Sequence, residues 1–433
     1  MRDASGYEGA PEREFAPATH SEASSLLAEA HAARIPVTIA GSATGVTGGC
    51  CPRGGWLISL RHLNRLAVER GRAMAGAAVT LRELNEAAGR TGQFYAPDPT
   101  EWTASVGGSI ATNASGSRSY RYGSTRRHIL ALDVLFADGA ARHFRRGEAI
   151  DFDVPALPLP RTTKNTAGYP LRPGMDWIDL IAGSEGTLAV VTQAELQLLP
   201  VPGRVSAAVL FFDDEEDVAR SAALCRGETS LRMLEYLDAN SLRLMGETAG
   251  AALIVEAESA EWLETIHLPG LRDDSWVAAS AQDRERFRAF RHALPERVNE
   301  IVRRNGFQKL GSDYAVPLEH GAAMTALYHA ELSRHFPGRY VLFGHIGDAH
   351  LHANILPETK EQETAGRALL LELARHAVSL GGTVSAEHGL GKRKANLLPV
   401  QYGPDAIEAM LAVKRRLDPL FLLGRGNIFG EYR

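Results

Sequence analysis

The sequence predicts an α+β protein of two domains, closed by a C-terminal segment that returns to the first. Three observations carry this. At 433 residues the chain exceeds what one small core can serve. Strand and helix patterns interleave through the first 200 residues, broken by glycine-rich loops. A fresh strand–helix unit then opens near Val205, just after Pro200 and Pro202. The boundaries follow as 1–203, 204–375 and 376–433, with an antiparallel sheet expected in the middle unit.

The elements read in order. Ala23, Leu26, Leu27, Ala30 and Ala33 recur at helical spacing, so residues 20–35 form a helix. Ile35–Ala40 is a strand running into a glycine-rich loop. Trp56–Leu60 and Leu130–Ala137 are strands, and Leu81–Thr91 is a helix. Residues 153–175 carry Pro155, Pro158, Pro160, Pro170 and Pro173 without periodicity and read as a long loop. Leu188–Leu199 is a β segment. In the second unit Val205–Phe212 and Leu253–Glu258 are strands and Glu215–Cys225 a helix. The last 58 residues hold more helix.

Composition excludes several classes. Hydrophobic residues make up 45% and charged residues 23%, the balance of a globular protein. A net charge of −5 argues against a general nucleic-acid or anionic-membrane surface. The N-terminus lacks the apolar core of a secretory signal, and no run of apolar residues is long enough to span a bilayer. Three cysteines, Cys50, Cys51 and Cys225, fit a reducing cytoplasm, with room for peripheral membrane contact. The adjacent pair reads as two small packing residues. Lysine is scarce, six against 41 arginines, so a lysine at a special place is informative. Lys309 is one such; Lys392-Arg393-Lys394 reads as a solvated face.

Three small-residue stretches point to an extended, flat ligand. Gly41-Ser42-Ala43-Thr44-Gly45-Val46-Thr47-Gly48-Gly49 follows a strand and can turn successive N–H groups toward a pyrophosphate. It is neither a P-loop nor a Gly-x-Gly-x-x-Gly fingerprint. Ser105-Val106-Gly107-Gly108-Ser109-Ile110-Ala111-Thr112-Asn113-Ala114-Ser115-Gly116 is the second, with Tyr122-Gly123-Ser124 after it. Gly183-Ser184-Glu185-Gly186-Thr187 is the third.

The order of these segments resembles the FAD-binding domain of the vanillyl-alcohol-oxidase flavoprotein superfamily, over residues 20–200. The resemblance implies a two-subdomain, PCMH-type FAD-binding domain under an α+β cap. It implies that the first loop, through Gly41, Ser42, Ala43, Thr44, Gly45, Thr47 and Gly48, holds the pyrophosphate of FAD. It extends the contacts to Pro97 and Asp98, to Ser105, Gly107, Gly108, Asn113, Ser115 and Gly116, and to Tyr122 and Gly123. Glu185, Gly186, Val190 and, from the last loop, Asn427 complete the set. Ala189 stands where the family usually has glycine. No histidine in the first loop supports covalent attachment.

The sharpest constellation is His345-Ile346-Gly347-Asp348-Ala349-His350-Leu351-His352-Ala353-Asn354. Two strands, Tyr340–Gly344 and His350–Leu356, flank a Gly-Asp turn. Alternation puts His350, His352 and Asn354 on one face. Imidazoles with the carboxylate of Glu387, in Ser385-Ala386-Glu387-His388-Gly389, suit zinc, manganese or iron. The pattern resembles the metal-dependent D-2-hydroxy-acid dehydrogenases of the same superfamily, which include the D-lactate and D-2-hydroxyglutarate enzymes. The resemblance implies His345, His352 and Glu387 as metal ligands, Asn354 as a substrate contact and His388 as the base. His350 stands where the family often has asparagine and is left out of the ligand set. Arg291 matches the family's carboxylate-binding arginine, and Lys309 lies about two residues out of register with its substrate lysine. Pro295 replaces a threonine of the D-2-hydroxyglutarate enzymes, which favours a small acid such as D-lactate. The expected partners are a small D-2-hydroxy acid and an external electron acceptor: oxygen, a quinone, a cytochrome or an electron-transfer flavoprotein. A homodimer stays open, and no nucleic acid is expected. Three rival readings are a metal hydrolase, a flavin enzyme for another alcohol or a sugar, and an electron-relay flavoprotein subunit.

Overall fold

A computed structural model describes residues 1–259 and 261–430. Among these residues the first domain holds two principal sheets. Arg13–Phe15, Trp56–Ser59 and Val37–Ala40 form a parallel sheet with Trp56–Ser59 central. Leu66–Glu69, Arg72–Gly76, Val190–Gln197, Ile129–Leu135 and Ala141–Arg145 form an antiparallel one in that order. The helix His20–Ala32 starts where Thr19 accepts a hydrogen bond from the N–H of Glu22. It ends at Ala32 rather than at 35, because Arg34 takes a positive φ of 55° and turns the chain toward the strand Val37–Ala40. Thr80 and Glu83 close a reciprocal capping box on Leu81–Gly89.

The second domain is an antiparallel sheet ordered Trp276–Val277, Ser206–Phe212, Ala251–Ala257, Leu231–Asp238, Tyr340–His345, His350–Ile355, Leu310–Gly311, with Tyr314–Ala315 also on His350–Ile355. Both faces are covered, which explains its near-continuous apolar strands. Ala207, Val209 and Phe211 pack with Phe287, Leu294 and Val298 of the helix Ala281–Arg304. Ala208, Leu210 and Phe212 face the opposite way into the larger core. Pro295 sits inside that helix and removes the bond to the carbonyl of Arg291 four residues back.

The boundary expected at 375 falls inside a helix, since Lys360–Ser379 runs unbroken across it. The C-terminal segment is hydrogen-bonded to the strand Val37–Ala40. Gly424 donates to Val37 O at 2.9 Å, beside a bridge from Val37 to Leu423. Lys414, buried, is tied to Asp418 and donates to Thr187 O at 2.6 Å and Leu423 O at 3.1 Å.

Candidate active site

A cavity of about 950 Å³ runs between the domains and collects most of the expected residues. Its first end is the loop after Val37–Ala40. Gly41 to Thr47 line it. Among the described residues, no backbone N–H from Ser42 to Thr47 donates a hydrogen bond to protein. Unpaired N–H groups in series make a concave anion cradle. This is the fit expected of a pyrophosphate, and the residues present suit FAD. The N-terminal segment braces the loop from behind, with Asp3 accepting from Gly48 N at 2.6 Å.

Ser105, Gly107, Gly108, Ser115 and Gly116 line the cavity, as do Glu185, Gly186 and Val190. Ser105 caps the short helix Val106–Ala111 by accepting from Gly108 N. Gly116 is fixed by close approach: a Cβ there would lie 1.9 Å from Asp98 O. Glu185 turns both carboxylate oxygens to the N–H groups of Leu390 and Gly391, at 2.8 and 2.6 Å. Several expected contacts sit elsewhere. Pro97, Asp98, Tyr122, Gly123, Asn113, Gly48 and Asn427 are not among the cavity's lining residues. Asp98 instead pairs with Arg118 at 3.2 Å and accepts from Trp102. Tyr122 reaches Glu258 and Arg232 of the second domain. Asn113, at φ 49°, accepts from Arg126 N. Asn427 donates to Gly49 O and Glu185 O at 3.0 Å each, holding two cavity walls together.

At the other end stand His345, His352, Asn354, Glu387, His388, Arg291 and Lys309. The hairpin does what alternation implies: His345 pairs with His350 across the two strands, and Phe343 with His352. His345 Nε2 lies 3.2 Å and His352 Nε2 3.8 Å from Glu387 Oε2. Atoms sharing one ion at about 2.1 Å stand about 3.4 Å apart in a tetrahedron, so this trio can hold a divalent metal. His345 Nδ1 faces Glu235 Oε1 at 2.6 Å, an orienting carboxylate that leaves Nε2 for an ion. Burial opposes charge on His345, but Glu235 and Glu387 outweigh it and raise its pKa to about 9. Burial and the surrounding histidines hold His352 well below its ordinary range, so it stays neutral.

His350, omitted from the ligand set on sequence grounds, belongs to the same cluster. Its ligand atom lies within 4.8 Å of those of His345, His352 and Glu387. It is fully buried, with neither ring nitrogen in a hydrogen bond among the described residues and Nε2 3.2 Å from Asp313 Oδ1.

His388 is backed by Asp313. The Nδ1–Oδ1 distance is 3.3 Å, and the backbone N–H of His388 donates to Oδ2 at 2.9 Å. Burial lowers the His388 pKa to about 4 despite Asp313, so the ring is neutral at pH 7. Arg291 donates from Nε to Glu235 Oε2 at 2.8 Å. Its two terminal nitrogens have no protein partner among the described residues. Lys309 has no hydrogen bond there either; burial and the nearby Lys394 lower its pKa to about 8.

Sequence reasoning missed four side chains of this site. Lys164, from the proline-rich loop, is buried and lies 2.8 Å from Glu387 Oε1 and 3.0 Å from Asp348 Oδ2. Ser115 also donates to Glu387 Oε1, at 2.8 Å. One oxygen of Glu387 is thus saturated and the other faces the histidines. Glu235, Asp313 and Asp348 complete the missed set. Lys392-Arg393-Lys394 is not a solvated face. Lys392 is buried and donates to Asn427 Oδ1 at 2.7 Å and Gly49 O at 3.1 Å, while Lys394 lies 3.8 Å from Asp313.

Comparison with known proteins shows the family. Residues 201–428 match the family "FAD linked oxidases, C-terminal domain", and residues 11–145 match "FAD binding domain". The chain is 31% identical to D-lactate dehydrogenase of Archaeoglobus fulgidus, covering 95% of this chain and 90% of that protein. It is 28% identical to glycolate oxidase subunit GlcD of Bacillus subtilis, over 98% and 90%. It is also 28% identical to the mitochondrial D-2-hydroxyglutarate dehydrogenase of Rattus norvegicus, over 94% and 76%. The fold matches a solved alkyldihydroxyacetonephosphate synthase at a TM-score of 0.67 and 15% identity, covering 95% of this chain and 75% of that one. The chain belongs to the FAD-linked oxidase family, as an FAD-linked oxidoreductase with a PCMH-type fold.

Proposed function

We propose that this protein oxidises a small D-2-hydroxy acid to the 2-keto acid, with a divalent metal beside the flavin and electrons passing to an external acceptor. One observation carries the reading: the cavity that begins at the N–H cradle ends on His388 and on the His345, His352, Glu387 trio. Relatives named for D-lactate, glycolate and D-2-hydroxyglutarate support the substrate class.

FAD supplies the two-electron acceptor, and the metal supplies Lewis acidity that makes a nearby hydroxyl more acidic. The chain's own residues do the rest. Arg291 offers its two free terminal nitrogens to the substrate carboxylate, with Glu235 fixing the plane of the guanidinium. Asn354 contacts the α-hydroxyl. His388 takes the hydroxyl proton at Nε2, because Asp313 engages Nδ1 and stabilises the imidazolium that forms. Asp313 is suited to this: burial alone would raise its carboxyl, but His388, Lys394 and His350 hold it well below the usual range. Pro295 lines the cavity and offers no donor to a second carboxylate, which favours an acid of the size of D-lactate. The test is dye-linked turnover with D-lactate, L-lactate, glycolate and D-2-hydroxyglutarate. Preference for D-lactate is expected; equal rates on D- and L-lactate would overturn the stereochemical assignment.

A further inference from the structure

Behind the wall formed by Ser115 and Lys164 lies a second, polar cavity of about 200 Å³. We propose that it binds a small oxyanion, the size of phosphate or a short carboxylate. The inference is independent of the catalytic reading.

The first reason is the lining. Arg126, Lys164 and Arg172 border the space, and among the described residues no aspartate or glutamate does. Asn113 and Asn165 also line it. Their carbonyl oxygens are already engaged, by Arg126 N and by Ala167 N with Thr383 Oγ1. They therefore have N–H groups to offer an occupant.

The second reason is charge balance. Two carboxylates, Asp176 and Asp179, stand among Arg126, Arg146 and Arg172. Arg146 pairs with both, and Arg172 with Asp179. Arg126 pairs with neither. Among the described residues its side chain makes one hydrogen bond, from Nη2 to the neutral carbonyl of Ala182. Its Nε is buried with no hydrogen-bond partner among those residues. Burial lowers its pKa to about 10, which still leaves it charged at pH 7. Lys164 adds no free cation to the surplus, because Glu387 and Asp348 hold it. One guanidinium in excess, half-buried and bordering a cavity with no acid among its described lining residues, is a costly arrangement unless an anion compensates it. The volume admits phosphate, sulfate or acetate and excludes a nucleotide.

The experiment is thermal melting of the full-length flavoprotein at pH 7 in sodium chloride, sodium phosphate or sodium acetate of matched ionic strength. A ligand that binds the folded state raises the melting temperature saturably. A rise of about 1–3 °C is expected in phosphate or acetate over chloride, and the salt that produces it tells a phosphate site from a carboxylate site. Arg126→Gln should abolish the increment, whereas a purely structural Arg126 would lower melting equally in all salts. Should that variant fold poorly, Thr163→Glu provides the second arm. Thr163 is exposed at the cavity's rim, and a carboxylate there replaces the anion from within the chain. The increment should again vanish, with melting in chloride at or above that of the parent. Equal melting in all three salts, or an increment that survives both substitutions, would overturn the proposal.

Discussion

Lys164→Met removes one ammonium from the back of the candidate metal site and leaves a side chain of similar length. At 2.8 and 3.0 Å from Glu387 and Asp348, and with an effective dielectric near 20, each attraction is worth about 6 kcal/mol. Burying the three charges offsets most of that, so the net cost of breaking the group is set by the carboxylates left uncompensated, about 3–5 kcal/mol. Glu387 also loses one of the two donors to Oε1, keeping only Ser115, and can swing that oxygen toward the histidines. Losses of this kind behind a metal ligand cost about 10–100-fold in metal affinity. The assay is metal content by elemental analysis, with thermal melting before and after chelation. The double variant Lys164→Met with Asp348→Asn should regain much of the stability, since one orphaned charge is gone, while metal affinity stays low. A Lys164→Met protein with parental melting and parental metal content would refute the reasoning.

Three further outcomes follow from the same geometry. His388→Asn should lower kcat by about 10²–10⁴-fold with flavin and metal content unchanged; a fall below tenfold would remove His388 as the base. Gly116→Ala should cost about 3 kcal/mol or more and release flavin, because its Cβ would meet Asp98 O at 1.9 Å; unchanged melting and flavin retention would contradict this. Asp238 caps the helix Ala239–Met245, and burial raises its pKa from 3.8 to about 6 despite bonds from Ser241. The folded state thus holds this proton more tightly than the unfolded one, so stability falls as pH rises from about 4 to about 6 and is then flat. Asp238→Asn keeps the cap and removes the titration. It should melt like the parent at pH 4 and gain at pH 7, by at most about 3 kcal/mol; an equal difference at both pH values would contradict the assignment.

Local pattern made much of the fold and half of the site legible. The hairpin carrying His345, His352 and Asn354 follows from period-two alternation around a Gly-Asp turn, and the anion cradle follows from the small residues after a strand. The supporting residues were hidden because each acts across the fold. Lys164 meets Glu387 from 223 residues away, and Glu235 meets His345 from 110. Each left a faint trace. Lys164 is one of six lysines, set in a loop with no periodicity, and Glu235 is an acid in a strand whose side chains are buried throughout. Lys392-Arg393-Lys394 misled because a charge run is usually solvated, whereas here the preceding Gly391 lets the chain fold under the first loop. Tyr122 and Asp98 were assigned to flavin by resemblance. In this chain Asp98 pairs with Arg118 within the first domain, and Tyr122 meets Arg232 and Glu258 of the second.

The most direct test of the central claim is the visible spectrum of the flavoprotein under anaerobic conditions, with D-lactate and then L-lactate added before and after metal chelation. Rapid bleaching of the flavin band by D-lactate alone, lost on chelation and restored by added zinc or manganese, is the result this account requires. Bleaching that survives complete removal of the metal would separate the flavin chemistry from the His345, His352, Glu387 cluster and contradict it.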